Sequence, residues 1–177
     1  MTRLAAWRHV DAREGFEVVR IDDRVFEGST AAVEEGEAWA VRYVIELDEA
    51  WRTRRAEVAA LGGRRIVLEA DTPGRWRIDG EPAPHLDGLL DVDLESSALT
   101  NAFPVRRMAL AVGEEADAPA AYVRALDLSV EPLEQRYRRR GDARYHYVSP
   151  AFGFECELAY DDAGLVLDYP GIAVRVA

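Results

Sequence analysis

The sequence predicts a mainly β fold, an all-β roll, barrel or sandwich made of many short strands. Three observations carry this. Apolar residues recur at a period of two rather than at the 3.6-residue period of a helix. Turn signals interrupt these runs at short intervals, at Glu35-Gly36, Gly62-Gly63, Pro73-Gly74, Asp79-Gly80, Gly141-Asp142, Asp162-Ala163-Gly164 and Pro170-Gly171. Segments that would make a convincing amphipathic helix are scarce. At 177 residues the chain has room for one well-cored domain, taken as residues 1–177, and is short for two.

Taken in order, the first clear strand holds Trp39, Val41, Tyr43, Ile45 and Leu47 on one parity, with Ala38, Arg42 and Glu46 on the other. Ala, Glu and Arg in Glu49–Leu61 favour helix. A strand over Arg52–Ala60 is expected instead, because it lies between strand runs and ends at Gly62-Gly63. Shorter alternations follow at Ile66/Leu68 and Trp76/Ile78. In Gly88–Arg107, Leu90, Val92 and Leu94 face one way and Asp91 and Asp93 the other. A helix is expected over Ser97–Phe103, capped by Ser96 or Ser97 and stopped by Pro104. A strand from Val105 would then place Arg106 with Met108, Leu110 and Val112, making Arg106 rather than Arg107 the buried guanidinium.

Glu114–Pro119 reads as an exposed loop. Strands resume at Tyr122/Arg124/Leu126. The stretch EQRYRRRGDARYHY reads as an Arg/Tyr hairpin with one polar face. Phe152, Phe154, Cys156, Leu158 and Tyr160 give another apolar face, followed by Leu165/Leu167/Tyr169 and Ile172/Val174/Val176. The large rings of Trp7, Trp39, Trp51 and Trp76 are expected to be at least half buried.

Composition excludes several functions. The net charge of −11 argues against nucleic acid and anionic membrane surfaces as partners. No stretch approaches the roughly 20 apolar residues of a membrane helix, so no membrane insertion is expected. The start of the chain lacks the apolar run of a signal peptide, which predicts a bacterial-type cytoplasmic protein. The single Cys156 and the scattered His9, His85 and His146 offer no metal spacing, and no cofactor motif is present. The histidines are expected on the surface or in local hydrogen bonds.

The chain has no Lys, and Asn101 and Gln135 are its only Asn and Gln. A residue that persists against such a coding bias has a specific task to explain it. Asn101 can donate and accept through one planar group. Asp91 and Asp93 could serve as acid and base, but a solvated strand face or a clamp with Arg is the plainer reading.

The blocks Trp51–Arg54 (WRTR), Arg75–Pro82, Leu86–Leu94 (LDGLLDVDL), Thr100–Arg107 (TNAFPVRR), Gln135-x-Tyr137 and Asp168–Pro170 (DYP) resemble, in order, the glycolipid-binding family, long known as a domain of unknown function. The chain departs from that family where Thr-Pro-Phe usually precedes Thr-Asn; here Ser97-Ala98-Leu99 stands. The resemblance implies a spiral β-roll, a half-barrel sheet wrapped around a single helix. It also implies fold kinship to lipoprotein carriers of the LolA/LolB type, and a homodimer.

These readings together predict a non-enzymatic protein that binds a lipid or glycolipid beside the helix. The expected ligand-binding residues are Asp91, Asp93, Asn101, Phe103, Arg106, Arg107, Met108 and Tyr137. The alternatives are a small enzyme using Asp91 or Asp93 with Arg106, and a structural dimerisation protein.

Overall fold

The computed structural model describes residues 2–11, 13–72 and 74–177. The turn expected at Pro73-Gly74 therefore lies partly outside the described residues, since Pro73 is not among them. The strands are β1 (Arg3–His9), β2 (Glu14–Asp22), β3 (Val25–Glu34), β4 (Glu37–Leu47), β5 (Thr53–Ala60), β6 (Arg65–Ala70), β7 (Trp76–Ile78), β8 (Glu81–Pro82), β9 (Asp91–Leu94), β10 (Glu115–Asp117), β11 (Ala120–Val123), β12 (Val130–Leu133), β13 (Arg136–Arg139), β14 (Arg144–Ser149), β15 (Phe154–Tyr160), β16 (Val166–Tyr169) and β17 (Ala173–Arg175). The α-helix α1 spans Ala102–Met108.

Fourteen strands make one sheet in the order β10-β13-β14-β15-β16-β17-β1-β2-β3-β4-β5-β6-β7-β8. This sheet does not close on itself; it forms a roll around α1, and neighbours within it pair antiparallel. The small sheet β12-β11-β9 pairs β9 parallel to β11, with Asp91 opposite Ala120 and Asp93 opposite Tyr122.

Period-two alternation builds the inner face as expected. In β4 the side chains of Trp39, Val41, Tyr43, Ile45 and Leu47 are all buried. The core divides in two. One part packs Trp7, Phe26, Ile45, Leu68, Trp76 and Leu99 around the α1 residues Ala102 and Phe103. The other is tyrosine-rich, with Tyr137, Tyr145, Tyr147 and Tyr160 against Val105 of α1. Trp7, Trp39 and Trp76 are buried, and Trp51 is mostly covered.

The helix differs from its expected span. Leu99–Asn101 is a single 3₁₀ turn, and α1 runs on through Pro104 to Met108. Proline is tolerated there because N–H groups in the first helical turn have no intrahelical acceptor to lose. The helix stops instead at Ala109, whose φ of 47° is left-handed.

This overturns the parity assigned to the arginines. On a helix, neighbours lie about 100° apart rather than on opposite faces. Arg107 turns inward, and its guanidinium pairs with Asp91 through Nη2–Oδ2 at 2.5 Å and Nε–Oδ1 at 3.1 Å. Arg106 turns outward, stacks 4.1 Å over the Trp51 ring and donates to the Ala163 carbonyl.

Asp91 and Asp93 do share a face, but it is not solvated: they are 1% and 9% exposed. β11 and β5 enclose β9, and Val92 N donates to Thr53 Oγ1 at 2.9 Å. In β11 all residues are buried, so the alternation expected through Arg124 and Leu126 ends at Val123. The loop expected at Glu114–Pro119 contains the edge strand β10, whose backbone pairs with β13 whatever the side chains. His9 is buried rather than exposed, because it shares the inward parity of Ala5 and Trp7 on β1.

Candidate functional site

The segment Ser96–Asn101 enters α1 between two polar clusters. The first centres on Glu17 of β2, fully buried in the roll. Its Oε1 accepts from Tyr43 OH at 2.5 Å and from Ser97 Oγ, and its Oε2 accepts from Ala98 N at 2.8 Å. Burial raises the Glu17 pKa, and these donors pull it back. Thr30 Oγ1 donates to the Ser96 carbonyl at 2.6 Å. Tyr43 reaches Glu17 only because its cross-strand partner is Gly28: a Cβ there would sit 2.1 Å from Tyr43 Cζ.

The second cluster centres on Asp93. Thr100 Oγ1 donates to its Oδ1 at 2.6 Å, and Gln135 Nε2 donates to its Oδ2. Asn101 Nδ2 donates to Tyr137 OH at 2.9 Å, and Tyr160 OH donates to the Asn101 carbonyl at 3.1 Å. Burial pushes the Asp93 carboxyl up to about 6 against the pull of Thr100 and Gln135, and the nearby charges of Asp91 and Glu95 add to the rise. The only Asn and the only Gln of the chain thus both belong to this cluster.

Asp93 differs from Glu17 in opening onto a cleft of about 240 Å³. Arg13, Glu95, Ser97, Asn101 and Ser149 give the cleft its other polar groups, and Tyr122, Tyr147, Phe152, Phe154 and Tyr169 its aromatic wall. Tyr122 and Phe152 pack with ring centroids 5.6 Å apart, and Phe152 is 50% exposed at the rim. Ser149, 1% exposed, has an Oγ with no hydrogen-bond partner among the described residues. Glu95 uses Oε2 to accept from Ala125 N at 2.7 Å. The Arg13 guanidinium is partly engaged: Nη1 donates to the Glu95 carbonyl at 3.0 Å and the group stacks on Trp39, while Nε, 3.6 Å from Glu34 Oε2, makes no hydrogen bond among the described residues.

Of the residues expected at a ligand site, Asp93 and Asn101 line this cleft. Tyr137 lies directly beneath it, fully buried, with its hydroxyl on Asn101. Asp91 and Arg107 form their own ion pair. Phe103 is sealed in the core against Phe26, Met108 packs on the tyrosine core, and Arg106 belongs to a different surface with Trp51 and Asp161.

Sequence reasoning missed Arg13, Glu95, Tyr122, Ser149 and Phe152. Two signals could have found some of them. Glu95 continues the Asp91/Asp93 parity, and the Pro150–Phe154 stretch sets two phenylalanines either side of a glycine. Among the described residues no cluster of His, Cys, Asp and Glu is arranged to hold a metal ion. No described helix is long and apolar enough to cross a membrane.

Comparison with known proteins agrees with this architecture. The crystal structure of a DUF1089 family protein from Pseudomonas aeruginosa is similar at a TM-score of 0.85 and 35% identity, covering 96% of this chain and 95% of that one. No curated protein matches. The model of the family described as "Putative glycolipid-binding" matches residues 4–175. That match spans nearly the whole roll, from β1 to β17, and the chain belongs to this family.

Proposed function

We propose that this protein binds an amphiphile, a lipid or glycolipid, in the cleft between β9, β11 and β14. The observation that carries the reading is the cleft's division into a polar floor and an aromatic wall. Asp93, Glu95, Asn101 and Ser149 offer acceptors and donors, while Tyr122, Phe152 and Phe154 offer apolar surface. Ligand sites commonly combine a mostly apolar lining with a few fixed polar groups. The polar part of the ligand would lie against Asp93 and Ser149, and its apolar part would leave across Phe152. Family membership supports a binding role. Native mass spectrometry of gently purified protein, before and after loading with octyl glucoside and with dodecanoic acid, tests this. A retained amphiphile lost in Phe152→Ala is expected. No adduct with any amphiphile would defeat the proposal.

One observation favours a second reading, an enzyme that moves a proton at Asp93. Its carboxyl, raised to about 6 in an open cleft, has a useful pKa for acid–base work. Both of its oxygens already accept from protein donors, which keeps the binding reading ahead. Arg106 drops out of the enzyme reading because it lies on another surface. Hydrolysis of aryl glycosides that is lost in Asp93→Asn would reverse the order of the two readings.

A further inference from the structure

Resting on the amphiphile-binding reading, we infer that the cleft receives one uncharged sugar ring and leaves the lipid chains outside.

Size is the first argument. A cleft of about 240 Å³ falls below the roughly 300–1,000 Å³ of pockets that engulf drug-sized ligands. It holds one ring-sized group and not a pair of acyl chains. The two core clusters already fill the interior beside the helix with side chains, from Phe103 and Leu99 to Tyr137 and Tyr147.

Charge is the second. The carboxyls of Asp93 and Glu95 both line the cleft. The cation present, Arg13, already faces Glu34 and donates to a main-chain carbonyl. A phosphorylated or carboxylated headgroup would meet the two carboxyls against a single guanidinium that already faces Glu34. Sugar hydroxyls, in contrast, donate to carboxylates and accept from hydroxyl groups.

The third argument is an unused polar group. Ser149 Oγ is buried at the cleft beside the Tyr147 hydroxyl and makes no well-formed hydrogen bond among the described residues. A buried hydroxyl left unpaired is costly, and a ligand hydroxyl would satisfy it. Beside it the tilted Tyr122–Phe152 pair presents a ring face to the C–H side of a pyranose.

Calorimetric titration of the full chain tests this with methyl hexopyranosides, hexose phosphates, octyl glycosides of the same sugars, and dodecanoic acid. A methyl hexopyranoside is expected to bind, its octyl glycoside within about threefold of it, and its phosphate roughly tenfold or more weakly, the scale of one like-charge contact. Ser149→Ala and the rim variant Phe152→Ala should each weaken the methyl glycoside about fivefold or more, about 1 kcal/mol at 298 K, the scale of one net hydrogen bond or packing contact. Because Phe152 is half exposed, its variant remains a test should Ser149→Ala fold poorly.

Octyl glycosides and dodecanoic acid binding while no methyl glycoside does would overturn the inference and leave amphiphile binding standing. Equal or tighter binding of the phosphates would overturn the charge selection, and with it the inference. Unchanged sugar affinity in both variants would show that the sugar binds elsewhere and would overturn it too. Failure of every probe to bind would sink the amphiphile reading together with it.

Discussion

Glu17 and Asp93 are both carboxyls held at the Ser96–Asn101 segment, and they use the same chemistry to different ends. Three protein donors close around Glu17, which is shut inside the roll. Asp93 also has donors on both oxygens, yet it opens onto a cleft where Ser149 Oγ makes no well-formed hydrogen bond among the described residues. A closed cluster fixes the segment's position; an open one leaves hydrogen-bonding capacity for something outside the chain. A polar group's place in the fold, more than its type, decides whether it is joinery or a site.

The largest test of that contrast is Glu17→Ala. It leaves Ala98 N without its acceptor and takes the shared acceptor from Tyr43 OH and Ser97 Oγ, which keep only their 3.2 Å contact with each other, at about 1–3 kcal/mol per lost bond, and it adds a cavity. A loss of about 5 kcal/mol in a denaturant titration is expected. A loss below about 2 kcal/mol would mean that water replaces the carboxylate and that the cluster is not closed.

Next comes the other closed pair. Arg107→Ala leaves Asp91 buried without its guanidinium and should cost about 3–5 kcal/mol. Arg106→Ala loses mainly a stacking contact on Trp51 and should cost about 1 kcal/mol. Denaturation midpoints of the two variants check the ranking.

Asp93 gives a pH signature. Its carboxyl is raised from 3.8 to about 6, so between those values the native state holds more protons than the unfolded chain. Its contribution to stability is full below about pH 4 and is lost as pH rises through about 6, a change of about 3 kcal/mol. His9 works in the opposite sense. Burial, with Arg13 adding, lowers it from 6.5 to about 4, so its contribution is present above about pH 6.5 and is lost as pH falls. The two offset each other in the native protein. Asp93→Asn removes one side, so its stability should rise with pH about 3 kcal/mol more than that of the unaltered protein between about pH 4 and pH 7. Parallel curves for the two proteins would show that Asp93 titrates normally.

The smallest expected effect on stability belongs to Ser149→Ala. Deleting a hydroxyl that makes no well-formed hydrogen bond among the described residues should change stability by less than about 1 kcal/mol in either direction. A larger loss would place Ser149 in a closed network like that of Glu17.

Strands with one clean apolar face were legible in the sequence, as β4, β6 and β15 illustrate. The first three strands were harder to read because Leu4, Phe16, Val18, Val25 and Val33 stand exposed on the outer face and blur the alternation. The register after Pro104 was misread because proline within a first helical turn looks, in sequence, like a stop. Asn101 and Gln135 drew notice through composition and through the family-like blocks that hold them, and both support Asp93 or its neighbours. The cleft itself was illegible for a topological reason. Its parts come from Arg13 just before β2, from β9, from β11, from β14 and from the Pro150–Phe154 stretch, and only the parallel pairing of β9 with β11 sets Asp93 beside Tyr122.

The pairing of β1 with β17 has a consequence for biosynthesis. Strands β1 to β8 form a local meander, and so do β13 to β17, but the two halves meet only where the earliest strand joins the latest. Trp7 Nε1 donates to the Val166 carbonyl at 2.8 Å across that seam. Throughout translation β1 therefore waits with one bare edge, its amides exposed to any passing strand. Contacts of such long sequence separation form slowly. The middle of this sheet is thus completed by its latest strand, and a chain that stops short of β17 keeps β1 paired to β2 alone, as an edge strand.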